Sequence, residues 1–101
     1  MVFLRCNKKE FVLSKQILRS STSIAANIEE AIGGQSQKDF ISKLAIAYKE
    51  ARETLFWIKL LTETDYLNKK SSKQLQKDVT ELLKIIGSIQ LTMKKKLNLN
   101  S

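Results

Sequence analysis

Proline is absent from this 101-residue chain, and glycine occurs only three times, at 33, 34 and 87. Those two residues supply most tight chain reversals, so a chain without them has few places to turn. A sheet needs frequent turns, and no short β-branched runs bounded by turn dipeptides are present. A few long helices are what remains. The expectation is an all-α fold in one domain spanning 1–101, with helices at roughly 10–32, 37–64 and 72–97.

The apolar residues keep helical spacing. Leu13, Ile17, Ile24, Ile28 and Ile32 stripe the first segment. In the second, Ile41, Leu44, Tyr48, Ala51, Leu55 and Ile58 form one row and Phe40, Ala47, Trp57 and Leu61 a second, a width that suits packing against more than one neighbour. The third carries Leu75, Val79, Leu82, Ile86, Ile89 and Met93. Gly33-Gly34 is expected to end the first helix in the left-handed conformation. Ser36 with Asp39, and Ser71 with Gln74, look like capping boxes opening the next two. Gly87 falls mid-helix, where a close helix–helix contact would account for it. Long helices joined by short loops lie antiparallel, which gives an up-and-down bundle. Only the short stub Met1–Lys9 precedes the first helix, which leaves the expected bundle one helix short.

Several chemistries are excluded or weakened. The chain has no histidine and one cysteine, Cys6, so it lacks the commonest general base and zinc ligand and cannot form an internal disulfide. Gly33-Gly34 has no phosphate-loop context. Glu50 and Glu53 share a helix face and could hold a metal, but Lys49 and Arg52 interleave them as in ordinary surface pairing. No nucleophile–base set accompanies them, so no enzyme activity and no cofactor are expected. The apolar run at the start is too short for a signal peptide and no stretch could cross a membrane, so a cytoplasmic location is expected.

The net charge is +8, with nine basic and six acidic groups in residues 1–58 and nine and four in 59–101. Two readings stand side by side: a solubilising excess, or a surface for RNA or DNA. Lys69, Lys70, Lys73, Lys77 and Lys84 are the candidate nucleic-acid contacts. Lysines early in a helix oppose its macrodipole, which favours a functional reason for them.

The most distinctive stretch is QILRSSTSIAANIEE, Gln16 to Glu30. Gln16, Ser20, Ser23, Asn27 and Glu30 recur every three or four residues beside the isoleucine stripe. Such a row must satisfy its hydrogen bonds, and we expect Asn27 and Glu30 to find partners on another helix or subunit. The pattern resembles the signature of the helical-bundle family of ribosomal RNA intervening sequences, to which the accessory variability proteins of diversity-generating retroelements are related. The likeness continues through GGQSQKDFISKLAIAYKEARETLFWIKLLTETDYL.

The resemblance implies an antiparallel bundle of four-helix type, here with its first helix largely missing, assembled as a homo-oligomer, a pentamer in members of the family. Binding to nucleic acid is a further implication, and so is binding to a reverse transcriptase where the context is a retroelement. Its signature positions here are Gln16, Arg19, Ser23, Asn27 and Glu30, and Arg19 is the one suited to reach a phosphate. The chain departs from the family at Leu18, where an arginine is common, at Ala25, where proline is, and at Ala31, where glycine is. Two functions follow as expectations: a non-enzymatic oligomer binding RNA or DNA through its basic surface, or a structural partner of another protein.

Overall fold

The computed structural model describes residues 8–34 and 36–100. Three helices account for almost all of them: α1, Lys8–Ile32; α2, Gln37–Glu63; and α3, Lys69–Asn100. The described residues contain no strand. The remainder of the N-terminal stub, residues 1–7 including Cys6, lies outside the described residues.

Local chemistry sets the helix ends. Ser36 caps α2 in an extended conformation and accepts a hydrogen bond from the Asp39 amide at 3.1 Å. Asp39 also places negative charge at the positive end of the helix dipole. The C-terminus of α2 closes as a Schellman motif. The amide of Tyr66 donates to the Leu61 carbonyl at 2.9 Å, and that of Asp65 to Thr62 at 3.1 Å.

Two expectations about ends need correction. The left-handed residue is Asp65, at φ 64°, whereas neither Gly33 nor Gly34 has positive φ. Glycine at 34 answers a close approach instead: a Cβ there would lie 3.3 Å from the carbonyl oxygens of Ala31 and Glu30. The cap of α3 is Asn68, whose Oδ1 accepts from the Ser71 amide at 2.8 Å. The helix therefore begins three residues before the Ser71–Gln74 pattern, and Gln74 donates to Asp78 instead.

The core divides into two clusters along α2. Ile17, Ile58, Leu61 and Leu67 form one, joined by Leu13, Trp57, Tyr66 and Val79. Ala31, Leu44, Ala47 and Ile86 form the other, joined by Ile28, Phe40, Tyr48 and Leu82. Between them Ser20 and Thr54, both buried, share a hydrogen bond of 2.7 Å. Ile32, placed on the α1 stripe by spacing, is 76% exposed, and Ala31 occupies the buried position instead.

Each outer helix packs on α2, yet α1 and α3 never come within 8 Å of each other at the Cα level. The molecule measures 53 × 21 × 15 Å. Residues of both α1 and α3 join each of the two clusters, so the two outer helices share a core along α2. This is a helical bundle in which, among the described residues, α1 and α3 leave a corner between them uncovered.

The open corner is lined by apolar residues. On α1, Leu18, Ala25 and Ile32 recur every seven positions on the flank turned away from α2, and all three are exposed, Leu18 by 65%. On α3 the corresponding flank carries Leu75, Ile85 and Ile89, with Ile85 58% exposed.

Gly87 does face α2, but close approach does not require it. A Cβ there would lie 3.6 Å from Cε2 of Tyr48, an ordinary contact. Gly87→Ala is therefore expected to stabilise the fold by about 1 kcal/mol, because mid-helix glycine costs roughly that much relative to alanine. A higher urea midpoint with an unchanged slope checks this; a lower midpoint would show that the α2–α3 spacing depends on the missing methyl.

Candidate functional site

The polar row of α1 lies along α2. Its members are satisfied within α1 and across the α1–α2 seam. Arg19 bridges two carboxylates of α2, with Nη1 3.4 Å from Glu50 and Nη2 3.5 Å from Glu53, while its Nε donates to Gln16 at 3.2 Å. Glu30 meets Lys43 at 3.0 Å. Asn27 differs from expectation. Its Nδ2 donates back to the Ser23 carbonyl at 2.8 Å and to the Ser23 hydroxyl at 3.2 Å, both within α1 and not on another helix. The helix spacing that places residue 23 beneath residue 27 makes this local bond available.

Glu50 and Glu53 thus serve Arg19, in place of the pairing with Lys49 and Arg52 read from sequence. The Glu50 carboxylate is mostly buried, and its Oε2 receives no hydrogen bond of good geometry, so the guanidinium is its compensation. The Arg19 side chain is about half exposed, and pairs of this kind contribute roughly 0–1 kcal/mol each. Their value is positional: with the Ser20–Thr54 bond they fix the register of α1 on α2. Thr54 has no distinctive sequence signal beyond its place on the buried face. Among the described residues, no three His, Cys, Asp or Glu side chains converge as a metal site would require.

The remaining candidates sit elsewhere. Lys69, Lys70, Lys73, Lys77 and Lys84 are all exposed on α3. Lys73, Lys77 and Lys84 share its outward side, opposite the buried Ile86. Arg19 is separated from them by α2, so the set proposed from sequence is divided between two faces. Arg52 and Lys59 of α2, both exposed, were not singled out by sequence reasoning. Their spacing of seven was the available signal, since it puts them on one helix side.

Open depressions among the described residues include two. One lies on the outer side of α2, among Ala45, Tyr48, Lys49, Arg52 and Glu53. The other adjoins the α1–α2 turn, between Ile32, Phe40 and Met93. Neither brings together the groups of a nucleophilic or acid–base site. Among the described residues, no helix is long and apolar enough to cross a membrane.

The arrangement of the helices agrees with the comparisons. A family model described as the 23S rRNA-intervening sequence protein matches residues 4–88. The chain belongs to this family. Among solved structures, the chain is similar to a protein of unknown function from the S23 ribosomal protein family of Bacteroides thetaiotaomicron. The two are 52% identical over 87% of this chain and 82% of that one, with a TM-score of 0.82. No curated protein matches the chain. Arg19 and Glu30 pair across the α1–α2 seam, with Gln16, Ser23 and Asn27 bonded within α1 beside it, and the lysines of α3 lie outside it.

Proposed function

We propose that this intervening-sequence protein is a non-enzymatic assembly module that binds RNA or DNA, without sequence preference, through its basic outer surface. The observation that supports this reading is the separation of charge. The ion pairs among the described residues, Arg19 with Glu50 and Glu53 and Lys43 with Glu30, all lie between α1 and α2. The exposed lysines of α3 have no carboxylate partner among the described residues, so their charge remains available to a polyanion. Titration of labelled duplex and single-stranded RNA and DNA at increasing salt tests the reading. Each phosphate neutralised adds about 0.7–0.9 to the slope of log affinity against log salt, so three or four contacts give a slope of about 2–4. Absence of binding at low salt would leave the charge as solubilising only.

A second reading, a structural role without nucleic acid, is favoured by the open corner. Exposed apolar flanks on two helices are unusual for a small monomer and suit burial by another helix. In this reading the bundle is of four-helix type, and copies of the chain close the corner on association. The mass of the particle in solution tests it: a monomer would refute self-association.

A further inference from the structure

The outer lysines of α3 border a surface that the α1–α2 seam does not use, the outward side of the α2–α3 pair. We infer that the groove on this side is a track for a single phosphodiester backbone, walled by Arg52 and Lys59 of α2 and by Lys73, Lys77 and Lys84 of α3. The inference rests on the nucleic-acid reading above and names the surface that would carry it.

Cross-helix contacts set the register. Thr62 donates to Ser72 near one end of the α2–α3 pair, and Tyr48 lies against Gly87 further along. Between these points the helices run antiparallel. Lys59 is therefore level with the turn from Lys73 to Lys77, and Arg52 with Lys84. Helical periodicity puts Arg52 and Lys59 on the side of α2 between its α3 contact and solvent, since Tyr48, Leu55 and Thr62 are the neighbouring positions toward α3. The same reasoning puts Lys73, Lys77 and Lys84 on the solvent side of α3. All five side chains are exposed and have no ion-pair partner among the described residues. Glu53, which lines a depression with Arg52, is paired with Arg19, and Glu63 and Glu81 form no ion pair among the described residues.

The dimensions suit a nucleic-acid strand. Lys73 and Lys84 are separated by about 16 Å along α3 at 1.5 Å per residue. Successive phosphates of one duplex strand advance about 3.4 Å along the axis, so the track spans several of them. Phe56 is exposed on the outer side of α2, but Phe56 and Trp57 are in edge contact with each other, and no row of exposed aromatics accompanies the cations. Recognition is thus of the backbone and not of stacked bases. Arg19 takes no part, because two carboxylates already surround its guanidinium.

The test compares two triple variants of equal charge loss on the full chain: Lys59→Gln with Lys77→Gln and Lys84→Gln, against Lys15→Gln with Lys38→Gln and Lys96→Gln. Binding is read as fluorescence anisotropy of a short labelled duplex across a salt series, with far-UV dichroism confirming helicity. The same strands in RNA and DNA form, and unpaired, separate the possible sources of the backbone. The groove variant is expected to bind at least tenfold more weakly and to lose about 2–3 units of salt slope, at 0.7–0.9 per phosphate contact. The control is expected to change affinity less than threefold. Lys77→Glu alone should lower affinity more than Lys15→Glu does. Equal losses in the groove and control variants would overturn the track while leaving non-specific binding in place. No binding by the unaltered protein would overturn both.

Discussion

Ser20→Leu is expected to destabilise the protein by roughly 2–4 kcal/mol, more than any surface change. Ser20 is completely buried where α1 crosses α2, and its hydroxyl meets Thr54 at 2.7 Å and the Ile17 carbonyl at 3.3 Å. Ala47 and Ala51 are also fully buried on the facing side of α2, so small residues define the spacing there. A leucine must push the helices apart or leave its rotamer, at a cost of about 1–3 kcal/mol, and the lost hydrogen bond adds about 1. For a domain of this size that lowers the melting midpoint by at least about 8 °C. Ser20→Ala should cost only about 1 kcal/mol, since the Thr54 hydroxyl still donates to the Glu50 carbonyl at 2.9 Å. Thermal melts of both variants check the pair. Equal midpoints would mean that the seam does not set the α1–α2 distance.

Leu18→Glu combined with Ile85→Glu is expected to abolish self-association while leaving helicity intact. In a lone chain both side chains face solvent, and exposed substitutions of this type change stability by about 0.5 kcal/mol or less. In an assembly that closes the corner, two carboxylates would be buried without partners, each at a cost of several kcal/mol. Sedimentation equilibrium should therefore show the variant at the mass of a single chain and the unaltered protein above it. A variant that keeps the parental mass would place the interface elsewhere on the surface.

The helices were legible because long apolar periodicity without breakers has few other solutions. Their ends and faces were less so. Ile24, Ile28 and Ile32 look like one stripe, but each step of four residues turns the helix by about 40° beyond a full circle. By Ile32 the accumulated drift points the side chain outward, and Ala31 takes the core position. The Ser71–Gln74 pattern was a sound capping signal that lost to Asn68, which offers a side-chain acceptor three residues earlier. The polar row was visible as a row, yet spacing alone does not distinguish a bond to the preceding turn, as Asn27 makes, from one to a neighbouring helix, as Ser20 and Glu30 make. The cations were all visible too. Their division into paired and unpaired sets depends on which side of α2 each one falls.

The absence of contact between the backbones of α1 and α3 also governs how the molecule loses structure. A closed bundle has a ring of interfaces, so releasing one helix weakens the packing of every other. Here the interfaces form a line with two links, α1 to α2 and α2 to α3. Either outer helix can detach at the expense of its own link and the side chains it lends to the two clusters, leaving the other pair seated. Cooperativity is concentrated in α2, which belongs to both links, and its amides are the last to open. A partner filling the corner would turn the line into a ring, adding a second route from α1 to α3 beside the two clusters and making the whole unit open and close together.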